Sequence, residues 1–280
     1  MTNPIADPLV ENIDSDATSP LVHIEATPEG VATVTINSPA TKNAFDDRVI
    51  AALHQAFETL QGAEGVRIVF LRGAGGTFSA GANLEWMRSA AELTEADNRD
   101  DALAMAAMLK ALWDIPALTV ALIEGGAFGG GAGLACACDI AVAEAGTKFS
   151  FSEVRLGLVA ATISPYVVRA IGPRQAKALF ATGRVFDAAH AQAVGLAHEV
   201  VEGAAGLAQA KARLAREIMA AAPGAVAESK RLVDDIVGQE IDHGLMEETA
   251  RRIARRRVSE EGQEGVHAFL ERRKPSWMTE

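Results

Sequence analysis

Residues 117–138 read ALTVALIEGGAFGGGAGLACAC, and their pattern decides the fold class. Ala117 to Ile123 is an unbroken apolar run after Pro116, as a fully buried strand requires. Glycines then crowd between Gly125 and Gly131, too many for a regular element. From Ala132 to Cys138 the residues are small and apolar, and read as a buried helix. Residues 115–138 are long enough to raise a membrane span, but they hold six glycines, Pro116 and a central Glu124. A carboxylate at mid-bilayer is costly. Strand, glycine turn and buried helix is the better reading.

The same succession recurs on both sides. Upstream, residues 66–71 form a buried strand ending at Arg72-Gly73, followed by a Gly/Thr/Ser/Ala loop to Gly81. Residues 21–25 and 31–36 alternate around Pro28-Glu29-Gly30 and predict a hairpin. Between Asp46 and Leu60 the apolar Val49, Leu53, Ala56, Phe57 and Leu60 share one helix face. Residues 103–113 predict another helix. Downstream, residues 140–143 and 148–151 read as strands. Such alternation implies an α/β architecture with mostly parallel pairing. Beyond about residue 205 the texture becomes helical: 204–222, 225–238 and 241–257. One face of these helices is too apolar to stand alone and is expected to pack on the core or on a neighbouring subunit. The organisation is therefore a mobile tail (1–20), a core (21–205) and a helical C-terminal region (206–280).

Composition narrows the function. The 280 residues carry 26 Lys+Arg against 37 Asp+Glu, a formal net charge of -11, with 5% aromatics. Such a chain repels phosphate backbones and lacks a stacking platform, so nucleic-acid binding is disfavoured. Cys136 and Cys138 are too close for an ordinary disulfide and too few for a zinc site. Small buried residues in a reducing cytoplasm is the expectation. The first twenty residues hold four acids and no Lys or Arg, unlike a secretory or mitochondrial leader.

Several motifs fail on inspection. No Gly-Lys pair exists for a phosphate-binding P-loop, and the runs at Gly73–Phe78 and Gly129–Leu134 lack the last glycine of the dinucleotide fingerprint. Thr77-Phe78-Ser79-Ala80-Gly81 misses the nucleophile elbow by one residue, which leaves a serine hydrolase a poor match. The histidines show no ligand spacing. Five arginines between Arg251 and Arg257 are flanked by Glu247, Glu248, Glu260 and Glu261, as on a salt-bridged face. What survives is two glycine loops, each between a strand and a helix, followed by Glu153. Such loops expose backbone N–H groups that can bind phosphate or hold a developing oxyanion.

In this order the residues resemble the crotonase superfamily, the enoyl-CoA hydratase/isomerase family. The segment from Asn37 to Phe45 is similar to its first CoA-facing loop. Phe78-Ser79-Ala80-Gly81-Ala82-Asn83-Leu84 resembles its first oxyanion-hole segment, with Asn83 where Asp is usual. Glu124 to Leu134 resembles the second, and Cys138-Asp139-Ile140-Ala141 continues it. Phe151-Ser152-Glu153-Val154-Arg155-Leu156-Gly157-Leu158 is similar to the segment bearing a catalytic glutamate. Phe269-Leu270-Glu271-Arg272-Arg273-Lys274-Pro275 resembles the C-terminal signature. The resemblance runs from about Leu21 to Pro275.

It implies a spiral of repeated ββα units with a C-terminal trimerisation region, as a homotrimer or a hexamer of two trimers. It implies an enzyme with an acyl-CoA thioester substrate and neither metal nor separate cofactor, to which the composition adds the expectation of a cytoplasmic location and no nucleic-acid or membrane partner. The N–H groups of Ala82 and Gly130 would form the oxyanion hole, and Glu153 would be the general acid/base. Lys42, Ala44, Ala80, Ala82 and Gly129 would lie along the CoA-bearing substrate, with Lys274 or its neighbours reaching a CoA in the adjacent subunit. Hydratases of the family commonly carry a second glutamate where this chain has Gly133; Glu85 and Glu124 are possible helpers. The stretches 80–87 and 152–167 look most like bacterial methylglutaconyl-CoA hydratase-type members of leucine or acyclic-terpenoid breakdown. A hydratase is the leading expectation, a 3-enoyl to 2-enoyl isomerase the alternative, and a non-catalytic acyl-CoA-binding member a third.

Overall fold

The structure is a computed structural model that describes residues 12–13 and 20–278. The chain begins with β1 (Asn12–Ile13), β2 (Val22–Ala26) and β3 (Val31–Ile36). A 3-10 turn at Pro39–Thr41 leads into α1 (Asp47–Gly62), whose cap Asp46 accepts the Val49 N–H at 2.9 Å. Then come β4 (Ile68–Gly73), α2 (Leu84–Ala90) and α3 (Glu95–Trp113). The quoted stretch supplies β5 (Leu118–Ile123), β6 (Gly126–Phe128) and α4 (Gly130–Ala137). It is followed by β7 (Ile140–Glu144), β8 (Lys148–Ser150), a 3-10 turn at Glu153–Leu156 and α5 (Ser164–Thr182). The rest is β9 (Phe186–Asp187), α6 (Ala188–Ala193), β10 (Glu199–Val201), α7 (Gly203–Met219), α8 (Pro223–Ile236), α9 (His243–Val258) and α10 (Glu260–Glu271).

Two sheets organise these elements. The larger runs β1-β2-β3-β4-β5-β7-β10 and the smaller β6-β8-β9. From β3 to β10 the larger sheet is parallel, as the alternation predicts, and β2 and β3 form the expected hairpin. Each repeat places one strand in the large sheet, a short strand or strand-like segment beside the small one, and then a helix. This is the ββα spiral that the resemblance implies.

The core follows from this layering. Val34, Leu71 and Ala121 of the large sheet belong to a buried cluster with Leu53 and Phe57 of α1 and Leu109 of α3. Ile68, Phe70, Val120 and Val142 are covered instead by Leu207, Leu214 and Ile218 of α7. The helical region is further tied down by polar contacts. Lys230 of α8 donates to the carbonyls of Ile115 and Ala117, each at 2.7 Å, and pairs with Asp139 at 2.6 Å. Asp139 also accepts from the Thr119 N–H and hydroxyl. Arg67 donates to the carbonyls of Ile218, Ala221 and Trp277.

Several elements escape sequence periodicity. β6, β9 and β10 are two or three residues long and exist through pairing with distant strands. α2 buries no residue, and α10 lies past the last expected helix. α5 contains a break at Gly172 (φ 74°) ahead of Pro173, so it is two helices in contact. Most of the expected mobile tail lies outside the described residues; within it Asn12 and Ile13 pair antiparallel with His23 and Val22. Residues 115–138 form strand, strand and helix, and no helix among the described residues is long and apolar enough to cross a membrane.

Candidate active site

Three chain segments run side by side and end together. β6 pairs in parallel with β8, setting Gly126 opposite Lys148 and Phe128 opposite Ser150. On the other side of β6, Ser79 forms a parallel bridge with Ala127, through Ser79 N–H to the Gly126 carbonyl and Phe128 N–H to the Ser79 carbonyl. Parallel register therefore delivers three turns to one place: Gly81-Ala82 after Ser79, Gly129-Gly130 after β6, and Glu153 after β8. Long-range pairing, not chain proximity, assembles the site.

A fourth segment supports the first. Asn43 is fully buried; its side chain accepts the Ser38 N–H and donates to the Ala74 and Thr77 carbonyls. The left-handed conformations of Lys42 and Asn43 turn the chain toward residues 80–83. Ala80 N–H then donates to the Lys42 carbonyl, Phe45 N–H to Gly81, and Asn83 N–H to Phe45. Ala44 is buried, whereas the Lys42 side chain is exposed. Asn83 caps α2 by accepting the Glu85 and Trp86 N–H groups. Asn and Asp are equivalent in that role, which accounts for the departure from the usual Asp.

These contacts use much of the flanking backbone and leave N–H groups over at both turns. Those of Ala82 and Gly130 donate to no protein acceptor among the described residues. Gly130 opens α4, so its N–H also sits at the positive end of the helix dipole. The loops approach closely because glycine permits it: a Cβ at Gly81 would stand 2.8 Å from the Phe128 carbonyl oxygen, and one at Gly131 2.7 Å from Ser79 Cβ.

Glu153 faces this junction. A Cβ on Gly129 would lie 3.1 Å from its Oε1, so the carboxylate rests directly on the glycine turn. Oε2 is buried and has no hydrogen-bond partner among the described residues. Burial pushes the carboxyl above the ordinary glutamate range, with a backbone hydrogen bond partly opposing it. A half-buried carboxylate with one oxygen unpartnered, set against a turn that carries unused N–H donors, can shuttle a proton while negative charge collects at those donors.

The other expected participants are elsewhere. Glu124 precedes β6, at the opposite end of the β6/β8 pair from Glu153, and lies 3.7 Å from Arg72. Glu124 is therefore not placed as a helper. Glu85 is exposed on the first turn of α2 and makes no side-chain hydrogen bond or ion pair among the described residues. Gly133 is buried on α4, and Ile163 packs where its side chain would be: an added Cβ would lie 2.2 Å from Ile163 Cγ2. That apolar contact leaves no signal in the sequence. Lys274 is exposed, and no described contact within the chain joins it to Glu153 or the glycine turns. Cys136 and Cys138 are buried free thiols; burial pushes Cys136 up to about 12 and Cys138 further, so both are inert at neutral pH. No group of three or more His, Cys, Asp or Glu side chains suited to a metal converges among the described residues.

Fold and site define a class: an α/β enzyme of repeated strand–strand–helix units, with two backbone donors and one desolvated carboxylate at the ends of adjoining strands. Residues 26–280 match the enoyl-CoA hydratase/isomerase family. The chain belongs to that family. An enoyl-CoA hydratase from Shewanella pealeana superposes with a TM-score of 0.88 at 37% identity, over 92% of this chain and 96% of that one. AtuE of Pseudomonas aeruginosa superposes with a TM-score of 0.88 at 34% identity, over 92% and 100%. The human mitochondrial methylglutaconyl-CoA hydratase is 32% identical over 266 residues, 92% of this chain and 76% of its own length.

Proposed function

We propose that this enzyme hydrates the 2,3 double bond of an enoyl-CoA thioester, with Glu153 as its acid and base. The observation that carries the reading is the buried, unpartnered Glu153 Oε2 against the Gly129-Gly130 turn. In the proposed reaction the thioester oxygen accepts from the Ala82 and Gly130 N–H groups. Water oxygen bonds to C3 while the Glu153 carboxylate takes a water proton. The electron pair of the double bond moves onto the thioester oxygen as an enolate. Glu153 then returns the proton to C2, and one water has been added. Each backbone donor is worth roughly 3 kcal/mol to such a charge. Lys42, Ala44, Ala80 and Gly129 are assigned to the CoA-bearing side, since their backbone frames the donor turn.

The acyl group is proposed to be branched or carboxylated, of the methylglutaconyl type. Support comes from the missing acid at Gly133, which leaves water without a second carboxylate, and from the human relative's name. A carboxylate on the substrate would help organise that water. Isomerisation of a 3-enoyl to a 2-enoyl thioester is the second reading, favoured by the apolar Ile163 over Gly133, because one carboxylate suffices to move one proton. Assembly as a trimer or hexamer is proposed through the helical region, where Ile241, Val258, Phe269 and Leu270 are all more than two-thirds exposed in the single chain. Lys274 would then meet a neighbour's CoA.

Product mass tests the reading. The purified protein is incubated separately with 2-enoyl-, 3-enoyl- and methylglutaconyl-CoA. A product heavier by one water is expected, fastest from methylglutaconyl-CoA. Unchanged mass with altered retention, from the 3-enoyl substrate alone, would replace hydration by isomerisation. Equal rates on a straight-chain 2-enoyl-CoA would remove the acyl assignment.

A further inference from the structure

Gly129 and Gly133 are one helical turn apart, and the Gly133 N–H donates to the Gly129 carbonyl at 3.0 Å. Glu153 rests on the first and Ile163 on the second. A turn of helix rises about 5.4 Å, so the carboxylate and the isoleucine are neighbours along α4. The contact at Gly133 is tight. A Cβ there would lie 2.2 Å from Ile163 Cγ2 and 2.5 Å from its Cβ, and Ile163 is itself buried. Between the two, residues 157–159 are exposed, with Leu158 and Val159 both open to solvent. Ile163 thus occupies the space against α4 at Gly133, while residues 157–159 border the side open to solvent.

We propose that Ile163 is a specificity-determining residue: packed on Gly133, it seals the face of α4 one turn from Glu153 and limits the acyl groups that reach the carboxylate. The proposal deepens the acyl-CoA reading above and rests on it. It also explains why position 133 is glycine. Any larger residue there would have to displace Ile163, so the pair keeps a second acid and its water out of the site.

The test uses binding, so it does not require turnover. Dissociation constants of butyryl-CoA and octanoyl-CoA, both saturated, are measured for the wild-type protein, Ile163→Ala and Ile163→Val. Truncation to alanine opens space along α4, and should shift the affinity ratio toward octanoyl-CoA by at least about fivefold, within the range for a few methylenes in an apolar pocket. Valine keeps the contact with Gly133 and should stay within about twofold of wild type. Val167→Ala, at a fully buried residue in the first turn of α5, is the control and should lower the melting temperature without moving the ratio. An unchanged ratio in Ile163→Ala, or an equal shift in Val167→Ala, overturns the proposal. Should the alanine variant fail to fold, Ile163→Leu, which removes the Cγ2 that meets Gly133, serves instead and must shift the ratio. Failure of the wild-type protein to bind either thioester overturns this proposal and the function together. A shifted ratio in a protein that hydrates nothing overturns the function alone.

Discussion

Gly129 lies beneath the carboxylate of Glu153: a Cβ added to the glycine would stand 3.1 Å from Oε1 and 3.7 Å from Cδ. Gly129 also has φ 48° and ψ -116°, which L side chains rarely adopt. Gly129→Ala should therefore act twice. Backbone strain is expected to cost about 1–3 kcal/mol of stability. The displaced carboxylate should lower turnover by at least about tenfold, since small misplacements of a catalytic group are expensive. Thermal melts and steady-state rates on the same preparation separate the two effects, and wild-type turnover would contradict the placement of Glu153.

Glu153→Gln should abolish turnover and leave CoA thioester affinity within about threefold, because the amide keeps the shape and loses the proton transfer. Wild-type activity in this variant removes Glu153 from the mechanism. The wild-type rate should fall on the acid side with a midpoint above the ordinary glutamate range, since in the proposed reaction the carboxylate must be ionised to accept the water proton and burial raises its affinity for protons. Stability moves in the opposite sense. A carboxyl whose folded pKa is raised favours the folded state below its unfolded pKa, and that contribution is lost as pH rises through the folded value. Glu153→Gln should thus melt higher than wild type at neutral pH, with the gap closing on acidification. A gap that widens toward acid would contradict the burial of the charge.

Lys230 fixes α8 to the core through two carbonyls and Asp139. Its side chain is only 17% exposed, so the pair is poorly screened. Lys230→Met leaves Asp139 without its cation and two carbonyls without their donor. We expect a loss of about 3 kcal/mol in unfolding free energy, measured by urea titration, together with faster amide exchange in residues 223–236. A loss below about 0.5 kcal/mol would class the contact with ordinary surface pairs.

Truncation after Ala205 removes Leu207, Leu214 and Ile218 from the sheet face formed by Ile68, Phe70, Val120 and Val142. That face is apolar and would meet water. The fragment should aggregate on size-exclusion chromatography, because exposed apolar patches of that kind associate. A soluble trimer of the fragment would refute both the covering role of α7 and the C-terminal route to assembly.

The sequence by itself determined the α/β class, because buried parallel strands are apolar runs and amphipathic helices repeat every 3.6 residues; both patterns are local. It also marked the two glycine loops and Glu153, since glycine loops between strand and helix, followed by a lone carboxylate, form a linear signal; Ala82 and Gly130 within those loops came from the family resemblance. The hairpin at Gly30 and the helices after residue 203 were legible for the same reason. Tertiary structure alone decided which of these residues meet. The bridge of Ser79 with Ala127 and the register of Phe128 with Ser150 bring three turns together from points some 70 residues apart in the chain. The same pairing removed Glu124 to the far end of β6, a separation that no spacing rule conveys. Packing decided the remainder. Burial of Glu153 Oε2 and the seat of Ile163 on Gly133 depend on atoms that touch across turns of unrelated sequence, and such contacts leave no periodicity to read.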